Sequence, residues 1–196
     1  TEILTATTVT NFQIPEKILI TGINTDTRNL KSGEGFVALR GEKFDGHKFV
    51  KQAMEKGASC VIVEEKYTLN NRVTQQSNSV PILQVENTLE AYQKIARWWR
   101  DRFAIPVIAV TGSVGKTTTK ELIAKVLATQ GQVLKTEANY NNEIGVPKTL
   151  LRLSSDDNYA VVEMAMRGPG EHDWQEFALS RIQVDEASEG SVESAE

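Results

Sequence analysis

Apolar residues fall along this chain in short runs separated by helix-patterned or turn-rich polar stretches, the pattern of strands alternating with helices. Four runs occupy the first half: Ile18-Leu19-Ile20, Gly35-Phe36-Val37-Ala38-Leu39, Cys60-Val61-Ile62-Val63 and Ile82-Leu83-Gln84-Val85. Between the second and third, Phe49, Val50, Ala53 and Met54 share one helical face. Asp45 is placed to cap that helix, and Gly57 stands where a left-handed residue would close it. Residues 67–79, rich in Asn, Gln and Ser, read as a polar surface loop. In the second half, Asn87-Thr88-Leu89-Glu90 resembles a capping box, and Leu89, Tyr92, Ala96, Trp99 and Phe103 then recur at three- and four-residue steps. Lys94, Arg97 and Arg100 lie mostly off that stripe. The Trp98-Trp99 pair could be a stacking platform, but aromatics at helical spacing belong more often to a core. Further strands are predicted at 107–110, 133–136 and 159–164. Leu122, Ile123, Val126 and Leu127 mark a helix over 116–129, and another follows over 145–153 with Pro147 tolerated in its first turn.

This alternation implies an α/β fold with a mostly parallel sheet and sites at the carboxyl ends of its strands. The expected organisation is a small N-terminal α/β domain over 1–86, then an incomplete P-loop-type sheet with flanking helices over 87–171. Residues 172–196 form an acidic, serine-rich tail expected to be disordered. An incomplete parallel sheet would leave an open edge and a marginal second half. A chain of 196 residues can hold two such units and bury about 70% of its unfolded surface. Forty per cent apolar residues and a net charge of −4 describe a globular protein without the basic excess that nucleic acid would demand, so small-molecule partners and a monomer are expected. No apolar run approaches the ~20 residues of a membrane span and the N-terminus has no secretion-signal pattern, so no membrane insertion and a cytoplasmic location are expected. Cys60, the only cysteine, reads as a buried strand residue rather than a nucleophile.

The chemistry concentrates after Val107-Ile108-Ala109-Val110, where Thr111-Gly112-Ser113-Val114-Gly115-Lys116-Thr117-Thr118-Thr119 links a strand to a helix. Glycines let backbone N–H groups turn inward around phosphate oxygens, the helix start adds unpaired N–H groups, and Lys116 adds a positive charge. Thr117 is placed to put its hydroxyl on Mg²⁺. Val110 stands where the longer P-loop pattern has its first glycine, so the match is G-x-x-G-K-T. An ordinary strand-to-helix turn would leave Lys116 unexplained. Glu163 ends an apolar run, either as a Mg²⁺ carboxylate or as a solvated acid at a strand end. Asn139, Asn141 and Asn142 are either turn residues tolerating positive φ or amides for ligand recognition.

The segments 111–121, Thr136-Glu137-Ala138-Asn139-Tyr140-Asn141-Asn142-Glu143-Ile144-Gly145-Val146-Pro147 and Glu163-Met164-Ala165-Met166-Arg167-Gly168 closely resemble the Mur ligases. In the first half, Asn24-Thr25-Asp26-Thr27-Arg28 and 35–47 are similar to that family's domain for the UDP-sugar substrate. The resemblance runs from about 15 to 171. It implies an ATP-dependent ligase of peptidoglycan synthesis that joins D-alanyl-D-alanine to UDP-N-acetylmuramoyl-tripeptide through an acyl phosphate. It also implies that Gly112, Ser113, Val114, Gly115, Lys116, Thr117, Thr118, Asn139 and Asn142 hold ATP, with Lys116 and Glu163 catalytic and Thr117 and Glu163 serving Mg²⁺. Thr25, Thr27, Arg28, Asp45, Gly46 and His47 would bind the UDP-sugar. Arg28 and His47 also have plain readings, a surface salt bridge and a helix-start residue. A sister ligase adding diaminopimelate or lysine shares these domains, although 139–147 and 163–168 fit it less well. The chain departs from the family pattern after Glu171, which suggests a truncated and inactive form, or a non-catalytic nucleotide- or UDP-sugar-binding module.

Overall fold

The computed structural model describes residues 9–11, 18–41, 44–67 and 80–165. The polar loop expected at 67–79 is therefore described only at Tyr67, and the acidic tail lies outside the described residues. Two sheets are built. The first has the order β1-β5-β4-β3-β2, from β1 (Val9–Asn11), β2 (Ile23–Asn24), β3 (Gly35–Val37), β4 (Cys60–Glu64) and β5 (Ile82–Val85). All neighbours are parallel except β1 against β5.

The first apolar run corrects the sequence reading. Residues 18–20 are not a strand and Leu19 is 81% exposed. Pairing with β3 begins only where Thr21 N–H donates to Gly33 O and Gly35 N–H donates to Gly22 O, so the strand forms at Ile23 and Asn24 instead.

A 3-10 turn at Gly46–Phe49 leads into α1 (Val50–Glu55), started by the Asp45 carboxylate accepting His47 N–H. Gly57 closes the helix at φ +85°, as its position implied, with its N–H on Met54 O. β4 is apolar from Cys60 to Val63 because both its faces are covered there. Val61 and Val63 pack on Val50, Ala53 and Met54 of α1, while Cys60 and Ile62 face the opposite layer. Burial pushes the Cys60 thiol up to about 12, so this cysteine is inert.

That opposite layer is α2 (Thr88–Arg100), whose start is capped by Asn87 Oδ1 accepting from Leu89 and Glu90 N–H. The Glu90 carboxylate pairs forward with Lys94 at 2.6 Å. Ala91, Tyr92 and Ile95 pack on the first sheet, and Trp99 packs on the core of the second, with its indole N–H on Leu153 O at 3.0 Å. The core reading of the tryptophan stripe therefore applies to Trp99, whereas Trp98 lies under the Arg102 guanidinium, 4.8 Å from the ring centroid. Arg100 departs from its expected solvent side. It is 8% exposed, with its guanidinium 3.5 Å from Asp101 Oδ1.

The second sheet has the order β6-β8-β7, all parallel, from β6 (Val107–Val110), β7 (Val133–Lys135) and β8 (Tyr159–Glu163). α3 (Lys116–Leu127) follows β6, and α4 (Gly145–Leu150) precedes β8. α3 ends earlier than expected and buries only part of its apolar pattern. Ile123, Ala124 and Leu127 pack on Val110 and Val161, while Leu122 and Val126 are exposed. α4 stops at Leu150, yet Leu153 still fills the core through the turn that follows. No helix among the described residues is long and apolar enough to cross a membrane.

If α2 is the wall shared by both sheets, Ile95→Ala should lower unfolding free energy by about 2–5 kcal/mol. Asn87→Ala should cost about 1 kcal/mol. Urea titration of the chain measures both; an Ile95→Ala loss no larger than that of the cap would refute the packing of α2 on the first sheet.

Candidate functional site

The carboxyl end of β6 opens into the glycine loop. Gly112 has φ +142° and Gly115 φ +81°, and a Cβ built on either meets nothing closer than 3.8 Å. Glycine is required here by backbone conformation rather than space. Gly115 precedes α3 without any side-chain cap, so the first N–H groups of this twelve-residue helix face outward at its positive end. Lys116 folds over the loop with Nζ donating to Gly112 O at 2.7 Å. Ser113, Val114, Thr117 and Thr118 are exposed around it.

Glu163 reaches the same place because β8 pairs with β6 in a register that sets it beside Val110. Its 3% exposure removes the solvated-acid alternative. Thr117 Oγ1 donates to Oε2 at 3.0 Å, Asn141 Nδ2 donates to Oε1 at 3.1 Å, and Lys120 Nζ lies 3.4 Å from Oε2. The backbone N–H of Glu163 donates to Thr136 Oγ1 at 2.9 Å. Burial pushes the carboxyl upward, but the Asn141 and Thr117 hydrogen bonds and the Lys120 charge outweigh it, and Glu163 is held below the usual carboxylate range.

The residues fit a hard divalent cation. The Thr117 hydroxyl and the Glu163 carboxylate, 3.0 Å apart at the mouth of the glycine loop, are oxygen donors of the kind such a cation takes. Among the described residues no group of three or more His, Cys, Asp or Glu side chains gathers, so a metal here would draw its other ligands from phosphate and water.

Two of these residues, Lys120 and Thr136, were not singled out by the sequence, and Asn141 was singled out without a role at Glu163. Lys120 lies one helical turn after Thr117, which puts both on one face, but a lysine in a helix reads as a solvent residue. For Asn141 the sequence left a turn role and ligand recognition both open, and the structure gives its amide to Glu163. The left-handed residue of that loop is Ala138, at φ +46°, rather than an asparagine. Asn142 Oδ1 accepts from Gly145 N–H at 2.8 Å and Ile144 N–H at 3.3 Å, starting α4, and Asn139 is exposed.

The other candidate residues lie by the first sheet. A cleft of about 570 Å³ is lined by Thr25, Asp26, Thr27 and Arg28 together with Phe36, Phe44, Phe49 and Gln52. Phe44 and Phe49 stack with centroids 5.7 Å apart, and Thr27 Oγ1 donates to Gln52 Oε1 at 2.7 Å. Arg28 pairs with Asp26 at 2.6 Å. Hydrogen bonds from the Arg28 side chain and backbone hold the Asp26 carboxyl down at about 2, with smaller help from its charge and that of Lys148 on α4. Asp45, Gly46 and His47 do not line this cleft. Asp45 accepts from His47 Nδ1–H at 2.7 Å, and His47, 2% exposed, accepts Glu64 N–H on Nε2 at 3.0 Å. A Cβ on Gly46 would stand 2.7 Å from Leu39 O. These three build the turn that carries Phe49 to the cleft wall.

Carboxyl-detected NMR titration should find Asp26 with a midpoint at about 2. Because the folded value is depressed, its contribution to stability is present above the unfolded midpoint of about 3.9 and is lost as pH falls toward the folded one. Arg28→Ala should move the midpoint back toward about 3.9, and added salt should do part of the same. An unmoved midpoint would mean that Arg28 is not the cause.

Residues 19–100 match the family described as Mur ligase family, catalytic domain, and residues 110–184 match the Mur ligase middle domain. The UDP-N-acetylmuramoyl-tripeptide–D-alanyl-D-alanine ligase of Synechocystis sp. is 58% identical over 163 residues, 83% of this chain and 34% of that protein. The solved structure of MurF from Acinetobacter baumannii overlays with a TM-score of 0.76 at 35% identity, covering 89% of this chain and 37% of that one. MurF from Thermotoga maritima in complex with ADP gives 0.69 at 32%, covering 84% and 36%. The chain spans about a third of the length of the curated relatives it matches. With a glycine loop facing a buried carboxylate, and two successive segments that match the domains of one family, this chain belongs to the Mur ligases.

Proposed function

We propose that this chain supplies the UDP-sugar and ATP sites of a ligase that joins D-alanyl-D-alanine to UDP-N-acetylmuramoyl-tripeptide, working as a cytoplasmic monomer. Residues 1–86 form the sugar-nucleotide domain and 87–171 the first part of the ATP domain. The observation that carries this reading is the Thr117 hydroxyl 3.0 Å from the buried Glu163 carboxylate at the mouth of the glycine loop. The 58% identity to the cyanobacterial ligase supports the choice of D-alanyl-D-alanine as acceptor.

In the reaction the tripeptide carboxylate accepts the γ-phosphoryl group of ATP, giving an acyl phosphate. The dipeptide amine then attacks the acyl carbon, phosphate leaves, and the new amide forms with loss of a proton. Little protein nucleophile chemistry is needed, so these residues position reactants and stabilise charge. Lys116 leaves Gly112 O to meet the β- and γ-phosphates, and the exposed N–H groups of the loop and of α3 surround them. Thr117 and Glu163 hold Mg²⁺, which when bound neutralises phosphate charge. Ser113, Val114, Thr118, Asn139 and Asn142 border the nucleotide. Thr25, Thr27 and Arg28 meet the sugar nucleotide in the cleft that Asp45, Gly46 and His47 shape.

Calorimetric titration with Mg²⁺-ATP and, separately, with UDP-N-acetylmuramoyl-tripeptide tests the reading. Lys116→Ala should weaken ATP binding about 10- to 100-fold, the worth of one or two charge-assisted hydrogen bonds. Binding of the sugar nucleotide should stay unchanged. Phosphate release that requires D-alanyl-D-alanine would establish turnover by this chain, whereas binding of neither ligand would remove the proposal.

A further inference from the structure

Lys120 has no part in holding phosphate in the scheme above, yet it is the most enclosed cation among the described residues, at 2% exposure. It leaves α3 one turn after Thr117 and ends between β7 and β8. There Nζ donates to Thr136 O at 2.9 Å and lies 3.4 Å from Glu163 Oε2 and 3.6 Å from Glu121 Oε1, on a glutamate that also pairs with Lys135. Glu163 Oε2 thus has Thr117 on one side and Lys120 on another, while Asn141 holds Oε1. A threonine hydroxyl that gives a lone pair to a metal can still donate its proton to the carboxylate. Thr117, Lys120 and Asn141 then hold Glu163 together, and Lys120 is the charged member of that set.

We infer that Lys120 is a positioning residue that fixes Glu163 Oε2 for a divalent cation at the glycine loop, an inference that rests on the nucleotide reading above. Charge alone argues the opposite sign. An ammonium 3.4 Å from a ligand oxygen repels the cation, so if Lys120 acted only through its field, its removal would tighten metal binding. If it acts by placement, removal loosens it.

The test compares ATP binding by the full chain with Mg²⁺ and with a chelator, for wild type, Lys120→Met, Lys120→Arg, Glu163→Gln and the double variant Lys120→Met/Glu163→Gln. Loss of a partner that orients a ligand costs about 10- to 100-fold in metal affinity. Lys120→Met should therefore weaken Mg²⁺-dependent binding at least about tenfold and leave chelator-state binding within about twofold. Lys120→Arg should recover most of the loss, and Lys120→Met should add nothing in the Glu163→Gln background. Tighter or unchanged Mg²⁺-dependent binding overturns the inference, as does an equal loss in both backgrounds.

Urea unfolding of the same set decides the matter without ligand. Removing one partner of a buried ion pair leaves an uncompensated charge, whereas removing both does not. A double variant more stable than Lys120→Met supports the pairing, including the case where Lys120→Met alone fails to fold. Additive losses, or a double variant that also fails to fold, overturn it. If wild type binds no ATP, the nucleotide reading falls and this unfolding cycle alone judges Lys120.

Discussion

A carboxylate buried to 3% exposure stays charged only when donors take the place of water, and the second half of this chain is arranged to supply them to Glu163. The groups that fix Glu163, three partners of its carboxylate and one acceptor for its backbone N–H, come from three parts of the fold. α3 brings Thr117 and Lys120, the loop after β7 brings Asn141, and the end of β7 brings the Thr136 hydroxyl to the backbone N–H of Glu163. This convergence is possible because β8, the last strand described, lies in the centre of its sheet. Its two neighbours lead into the glycine loop and into the asparagine loop, so both loops emerge beside one carboxylate.

α2 ties this assembly to the first sheet. It gives Tyr92 and Ile95 to one core and Trp99 to the other, and Gln93 Nε2 donates to Glu143 O just ahead of α4. α4 carries Lys148, whose charge contributes to the low value of Asp26 in the cleft of the first sheet. The cleft of the first sheet and the loop that leads to Glu163 are thereby connected through packed helices.

Much of this was legible from residue order. Cys60 to Val63 and Tyr159 to Glu163 are apolar runs of strand length, and both are strands. Asp45, Asn87 and Gly57 occupy helix-end positions because capping depends on a few neighbouring backbone groups. Ile18 to Ile20 misled because a strand needs a partner at its own level, and β3 starts only at Gly35. Leu122 and Val126 marked the helix correctly yet stay exposed, because the side of α3 that faces the sheet carries Ile123, Ala124 and Leu127. His47 looked available as a ligand, yet its two ring nitrogens are taken by Asp45 and by Glu64 N–H, the latter on a strand that arrives later in the chain.

By itself, the sequence determined the order of strands and helices from Gly35 onward, the glycines that let the loop turn back on itself, and the chemical types gathered at 112–117. These follow from periodicity and from the dihedral freedom of individual residues, which are local properties. Only the tertiary structure decided that β8 would sit between β6 and β7, that Lys120 would be inside, and that Asn141 rather than Asn139 or Asn142 would reach Glu163. The reason is that a charged side chain can be buried only where distant segments deliver its partners, and no local pattern records that meeting.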